Sequence, residues 1–470
     1  MSNPIHAVQP PLEFIPPNFN PLIFQIVNGC LPTWLQFQTP IREIEATHLE
    51  ILGDLYHQFA EGKVRFLMAF RHPSVHDPFC MGYLIWRLLP QLASKQGLIL
   101  PAPLHFHPIY DRGIPLWAGT WLGWLYSQLG GTPIHRGKLD RVGLRSARNL
   151  FVSGQFPLAA APEGATNGHN ERVSPLEPGI AQLGFWCAED LQKAGRTETV
   201  FIVPIGIQYY YLDSPWQPLE KLITELEIDS GLPAWESDPS VVNPVPELAS
   251  EPRLGQLYQR LLRLGDHVLT KMEEFYTRFY HQTLPTPPAS LGEMPVNEMI
   301  VYRLNGLLDV ALQVAEDYFN VPAKGNFIDR CRRLEQAGWD YIYRDDLKDL
   351  NLLSPLERGL ADRVAEEASL RMWHMRLVES FVAVTGQYIR EKPTLDRFAE
   401  TTLLLWDVIA RIKGNNPFKR PELGPQRVEM TIGDPLSVSQ RWQDYQQSRR
   451  GAISTLTQDL QTALEGMIKI

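Results

Sequence analysis

Cysteine is scarce in this chain of 470 residues: Cys30, Cys80, Cys187 and Cys331 are the only four, far apart and never in a C-x-x-C pair. That scarcity excludes a disulfide framework and a thiolate zinc site, and it fits a reducing compartment. Long apolar runs are missing too. No stretch of about 18 uncharged apolar residues occurs, so no bilayer-spanning helix is expected. The opening MSNPIHAVQPP lacks the basic start and apolar core of a secretory signal. Positive charge is in short supply: 44 Lys and Arg stand against 53 Asp and Glu, a formal net charge of -9. A nucleic-acid partner, whose binding rests on clustered Lys and Arg, is therefore not expected, and charge will not draw the chain to anionic lipid.

What the chain has is apolar material, 44% of its residues. That is enough for a full-sized core, and the length points to two units, because single cores stop growing somewhat above ~250 residues. Three stretches are rich in apolar and aromatic residues: PLIFQIVNGCLPTWLQF (21–37), FCMGYLIWRLLPQLA (79–93) and IPLWAGTWLGWLYSQLG (114–130). Each reads as a core helix or as a segment lying at a lipid–water boundary, where Trp and Tyr are at home.

Residues 1–39 form an N-terminal apolar segment with possible membrane contact. From 40 to 212 the pattern alternates: IREIEATHLEILGDLYHQF reads as a helix, VRFLMAF (64–70) as a buried strand, FCMGYLIWRLL as a helix, and TVFIVPIGIQYYY (199–211) as a further apolar run. Such alternation predicts an α/β core, a central sheet with flanking helices. Residues 213–425 read as all-helical, with one stripe formed by Leu254, Leu257, Leu261, Leu264, Val268, Met272, Phe275 and Phe279. Residues 426–470 switch back: Val428, Met430 and Ile432 alternate as in a strand, and an amphipathic helix with Leu456, Leu460, Leu464 and Met467 follows. The simplest topology has the helical block interrupting the α/β core, whose sheet the late strand completes.

The chemistry concentrates in FRHPSVHDPF (70–79). If a short helical turn follows the strand, His72 and Asp77 can meet on one face. A carboxylate accepting the Nδ1 proton leaves Nε2 free to take a proton from a hydroxyl. A competing reading makes His72 and His76 metal ligands, with Asp77, His105 and His107 in support; it lacks the helix-borne Glu of a metalloprotease, and no metal is expected. In the blandest reading these residues only satisfy a turn.

Three further segments bear on that choice: Gly130 to Arg136 in GGTPIHR, Pro162-Glu163-Gly164 in APEGATNGHN, and Val203-Pro204-Ile205 in FIVPIGI. With H-x-x-x-x-D and its Ser74, they resemble, in order, the four blocks of the glycerophospholipid acyltransferases, the group that includes 1-acylglycerol-3-phosphate acyltransferase. One such block occurs freely by chance; four in order do not. The resemblance covers about 40–212 and 426–470 and leaves the helical middle without a counterpart in the short members.

The resemblance implies a glycerolipid O-acyltransferase in phospholipid synthesis, on the cytoplasmic face of a membrane as a peripheral protein. The acyl donor would be acyl-CoA or acyl carrier protein, and the acceptor a lysolipid, foremost 1-acylglycerol-3-phosphate; no cofactor is implied. His72 would be the general base and Asp77 its orienting partner, with no covalent acyl-enzyme required. Arg136 would hold the acceptor phosphate, Glu163, Gly164 and Ser74 would line the acceptor site, and Pro204 would set the chain beside the acyl chain. Two departures stand out: Ala165-Thr166 replaces the family's Thr-Arg, and Arg71 replaces Asn before the histidine. Losing a charge-assisted contact costs on the order of 1.5 to 3 kcal/mol. Either Arg172, Lys138 or Arg141 substitutes, or the acceptor is a non-phosphorylated lipid alcohol. A non-catalytic lipid-binding relative is the reading outside the enzyme class.

Overall fold

The computed structural model describes residues 5–135, 140–233, 235, 251–286, 296–347, 349–381, 387–417 and 419–469. The chain divides into two compact units: Glu13–Leu212 with Pro425–Ile470, and the segment to Leu12 with Asp213–Gly424.

The first unit is α/β. Its strands are β1 (Ile41–Thr47), β2 (Val64–Phe70), β3 (His107–Asp111), β4 (Thr132–Ile134), β5 (Leu158–Ala160), β6 (Thr199–Tyr211), β7 (Gln426–Ile432) and β8 (Leu436–Ser437). They form one mixed sheet in the order β1-β7-β6-β2-β5-β3-β4, with β8 also on β6. Neighbours run parallel except for β6, which is antiparallel to both β7 and β8. Every residue of β2 is buried, as in a strand with both faces covered; its one charged residue, Arg65, donates to the carbonyls of Leu150, Phe151 and Gly154. Phe66, Met68 and Phe70 enter the core on one face, Leu67 and Ala69 the core on the other.

The helices Pro21–Gln38, Leu49–Ala60 and Asp77–Gln96 supply the first face, and Arg141–Ser153, Gly179–Lys193 and Arg449–Gly466 the second. The run from Asp77 passes through a π turn, Leu84–Leu88, before Pro90. Proline offers no N–H to the carbonyl four residues back, and the wider turn absorbs that break. In β6, Pro204 falls between the β7 ladder, which starts at Ile205, and the β8 ladder, which ends at Ile202. A residue without a donor is tolerated at such a gap.

Residues 41–47 correct the sequence reading, which made them the start of a helix. IREIEAT is an edge strand, β1, paired with β7, and His48 in the left-handed region (φ 59°) separates it from the helix that follows. Arg42, Glu43 and Glu45 are exposed, the charge that protects a sheet edge, and pairing overrides the helical propensity of Glu. The first 39 residues also do not behave as one piece. Val8 donates its N–H to Asp362 in the helical unit, whereas Phe24, Leu31 and Leu35 of the helix Pro21–Gln38 enter the α/β core.

Among the described residues of the second unit the regular elements are all helices, and the one β contact is an isolated bridge, Gln9 with Tyr343. Its longest helix, Pro252–Phe279, buries Leu254, Leu257, Leu261, Leu264 and Met272 of the predicted stripe but leaves Phe279 exposed. Among the described residues no helix is long and apolar enough to cross a membrane.

Candidate active site

β2 and β5 are parallel neighbours with Ala69 opposite Ala160, so the loops after them leave the same edge of the sheet side by side. That carboxyl edge is where parallel sheets place their ligands. The loop after β2 carries His72. The loop after β5 carries Glu163, Gly164 and Thr166.

His72 Nδ1 lies 2.9 Å from Asp77 Oδ2. The shared helix face expected from the spacing is replaced by a turn: His72 precedes the helix and Asp77 is its first residue, so the two meet across the turn. Asp77 is fully buried at the positive end of that helix. Its Oδ2 also accepts the Ser74 N–H at 2.8 Å, and its Oδ1 accepts the hydroxyl proton of Tyr209 at 2.5 Å. With the Ser74 N–H and the Tyr209 hydroxyl both donating to it, this carboxylate is the acceptor for the imidazole, which assigns the ring proton to Nδ1 and the lone pair to Nε2. Nε2 meets the hydroxyl of Thr166 at 3.1 Å.

Tyr209, like the Thr166 contact, is outside what sequence reasoning reached. β6 outruns β2 by six residues beyond the Phe70–Ile205 pair, and Tyr209 is the fourth of them. Val203, Ile205, Ile207 and Tyr209 alternate onto the face packed by the helix that begins at Asp77. Burial and the neighbouring Asp77 push the Tyr209 phenol well above its ordinary value, so it acts as a proton donor. The run YYY at 209–211 held the signal: its first and last residues keep the parity of Val203, and of those two only Tyr209 is buried.

Glu163 is buried and saturated. Its Oε1 accepts the His72 N–H at 2.8 Å, and its Oε2 accepts from Asn167 Nδ2 at 2.7 Å and from the Ser174 N–H at 2.8 Å. It braces the loop against His72 instead of facing a substrate. Gly164 follows with φ 71°, a conformation that favours glycine, and turns the chain toward Thr166. Arg71 lies beneath the site, almost fully buried, donating to the carbonyls of His169, Asn170 and Arg172. It is committed to the loop's backbone and does not reach an acceptor.

Ser74 Oγ accepts the His76 N–H, which makes it a turn residue. Arg136 and Lys138 lie outside the described residues. Arg141 is exposed at the start of its helix. His105 and His107 are buried in the first unit, bonded to the carbonyls of Leu129 and Gly130, and burial lowers them to about 3 and about 4. Among the described residues no group of three or more His, Cys, Asp or Glu side chains is placed to share a metal.

Comparison of the chain with family models, curated proteins and solved structures finds no match.

Proposed function

We propose that the α/β unit is a glycerolipid O-acyltransferase that moves a fatty acyl group from acyl-CoA or acyl carrier protein to a lipid hydroxyl. The observation that carries this reading is the imidazole of His72: Asp77 fixes its tautomer, and its lone pair points at a hydroxyl 3.1 Å away. That is the geometry of a general base for an alcohol, and the same imidazolium can return its proton to the departing thiolate. The order of the four sequence blocks supports the acyl chemistry. 1-Acylglycerol-3-phosphate remains the leading acceptor, with Arg136 assigned to its phosphate.

A non-phosphorylated lipid alcohol is the second reading. Thr166, in the position of the family's second arginine, brings a hydroxyl and no charge to the base.

Attachment to a membrane surface is part of the proposal. The helix Pro21–Gln38 contains no charged residue, and its Leu22 and Phe37 are 70% and 72% exposed. The uncharged helix Thr120–Gln128 exposes Trp121 and Trp124. Exposed Trp and Leu on uncharged helices suit the headgroup boundary.

The test is an acceptor screen with palmitoyl-CoA and palmitoyl acyl carrier protein as donors, run with 1-acylglycerol-3-phosphate and with its dephosphorylated counterpart. Running Arg136→Ala alongside assigns the phosphate contact: a loss confined to the phosphorylated acceptor supports it. Binding of lysolipid without transfer from either donor would leave only the non-catalytic reading.

A further inference from the structure

Thr166, His72 and Asp77 form a continuous relay. The Thr166 hydroxyl is 3.1 Å from Nε2 of His72, and Nδ1 of His72 is 2.9 Å from Asp77. Nucleophile, base and orienting acid in hydrogen-bond sequence are the arrangement that activates an alcohol for covalent catalysis.

The contact is built by the residues on both sides of Thr166. Glu163, three positions before it, accepts the backbone N–H of His72, and Asn167, directly after it, donates its backbone N–H to the carbonyl of His72 at 3.1 Å. The Asn167 side chain returns to Glu163, closing the loop on itself. Both peptide groups of the base are thus tied to the segment that carries the hydroxyl. Thr166 itself is exposed, open to a substrate. Such two-sided anchoring holds a reacting pair in place before substrate arrives.

We propose that Thr166 is a covalent acyl site: the acyl group passes from the thioester to Thr166 Oγ1 and only then to the acceptor hydroxyl. The proposal rests on the acyl-transfer reading of this same site and adds an intermediate to it. In the first half-reaction His72 Nε2 takes the Thr166 hydroxyl proton as Oγ1 attacks the thioester carbonyl. The C–S bond breaks, a C–O ester bond forms, and the thiolate leaves with the proton from His72. In the second, His72 takes the proton of the acceptor hydroxyl, whose oxygen attacks the Thr166 ester. Thr166 Oγ1 leaves and recovers its proton from His72. Each half-reaction balances without an oxidant, metal or further reactant.

The experiment incubates the full chain with palmitoyl-CoA, and separately with palmitoyl acyl carrier protein, in the absence of acceptor, and reads intact mass and the acylated peptide. The expected result is one palmitoyl ester on Thr166 in the wild type and, on serine, in Thr166→Ser. It is absent in Thr166→Val and His72→Ala, and Thr166→Val loses about 100-fold or more in transfer to lysolipid. Double-reciprocal plots in donor and acceptor should be parallel. No adduct in a wild type that transfers acyl groups, intersecting plots, or undiminished transfer by Thr166→Val would overturn the covalent route and leave the acyltransferase reading standing. No donor turnover by the wild type with either thioester would overturn both.

Discussion

The hydroxyl of Tyr209 donates to Oδ1 of Asp77, the oxygen that His72 does not use. With Oδ1 held by Tyr209 and Oδ2 shared by His72 and the Ser74 N–H, the carboxylate cannot rotate away from the imidazole. The Tyr209→Phe variant should lose about 1.5 to 3 kcal/mol of stability, the contribution of a hydrogen bond to a charged group. It should lower kcat roughly tenfold with KM little changed, because the base loses orientation and the binding surface loses nothing. Urea denaturation and steady-state kinetics check both; a KM effect alone would place Tyr209 in binding.

Arg71 ties the loop after β5 to the floor of the site through three carbonyls. Replacing it with Met removes the guanidinium donor from all three carbonyls, at a cost of about 3 kcal/mol. Arg71→Lys should recover little, because an ammonium cannot present the same fork. Hydrogen exchange should rise across residues 163–174 in both variants and stay unchanged in the helices of the other unit.

Acid should weaken the α/β unit through two buried imidazoles. Burial lowers His105 to about 3 and His107 to about 4, against 6.5 when exposed. The unfolded chain therefore binds more protons between pH 6.5 and about 4, so stability falls as pH falls through that window. The loss is on the order of 2 kcal/mol per imidazole between pH 7 and pH 5. Denaturation midpoints at the two pH values measure it; a flat or opposite trend contradicts the burial of these rings.

Trp121→Asp combined with Trp124→Asp should reduce sedimentation with phosphatidylcholine vesicles by about 10-fold, since charge at the headgroup boundary opposes insertion. Circular dichroism should be unchanged, because both rings are exposed. Equal sedimentation would remove these helices from the proposed membrane face.

Sheet and site were legible to different depths. Strands β2, β6 and β7 showed in the sequence because fully buried or alternating apolar residues leave a strong pattern. β1 did not show: its Glu residues favour a helix locally, and only pairing with β7, almost 400 residues away in sequence, makes it a strand. His72 and Asp77 were readable from spacing, since they meet across a single turn. Thr166 and Tyr209 were not, because their contacts with the pair depend on loops and strand ends brought together by the sheet. Arg71 stood out in sequence only as a departure; its burial beneath the carbonyls of His169, Asn170 and Arg172 has no local signature.

The central claim is that the His72 lone pair is the base for an acyl transfer. The most direct measurement is acyl-thioester turnover with a lysolipid acceptor by wild type and by His72→Ala, with folding verified by circular dichroism. The account predicts a loss of about 10² to 10⁴-fold in kcat for the variant. Turnover by His72→Ala at the wild-type rate would contradict it.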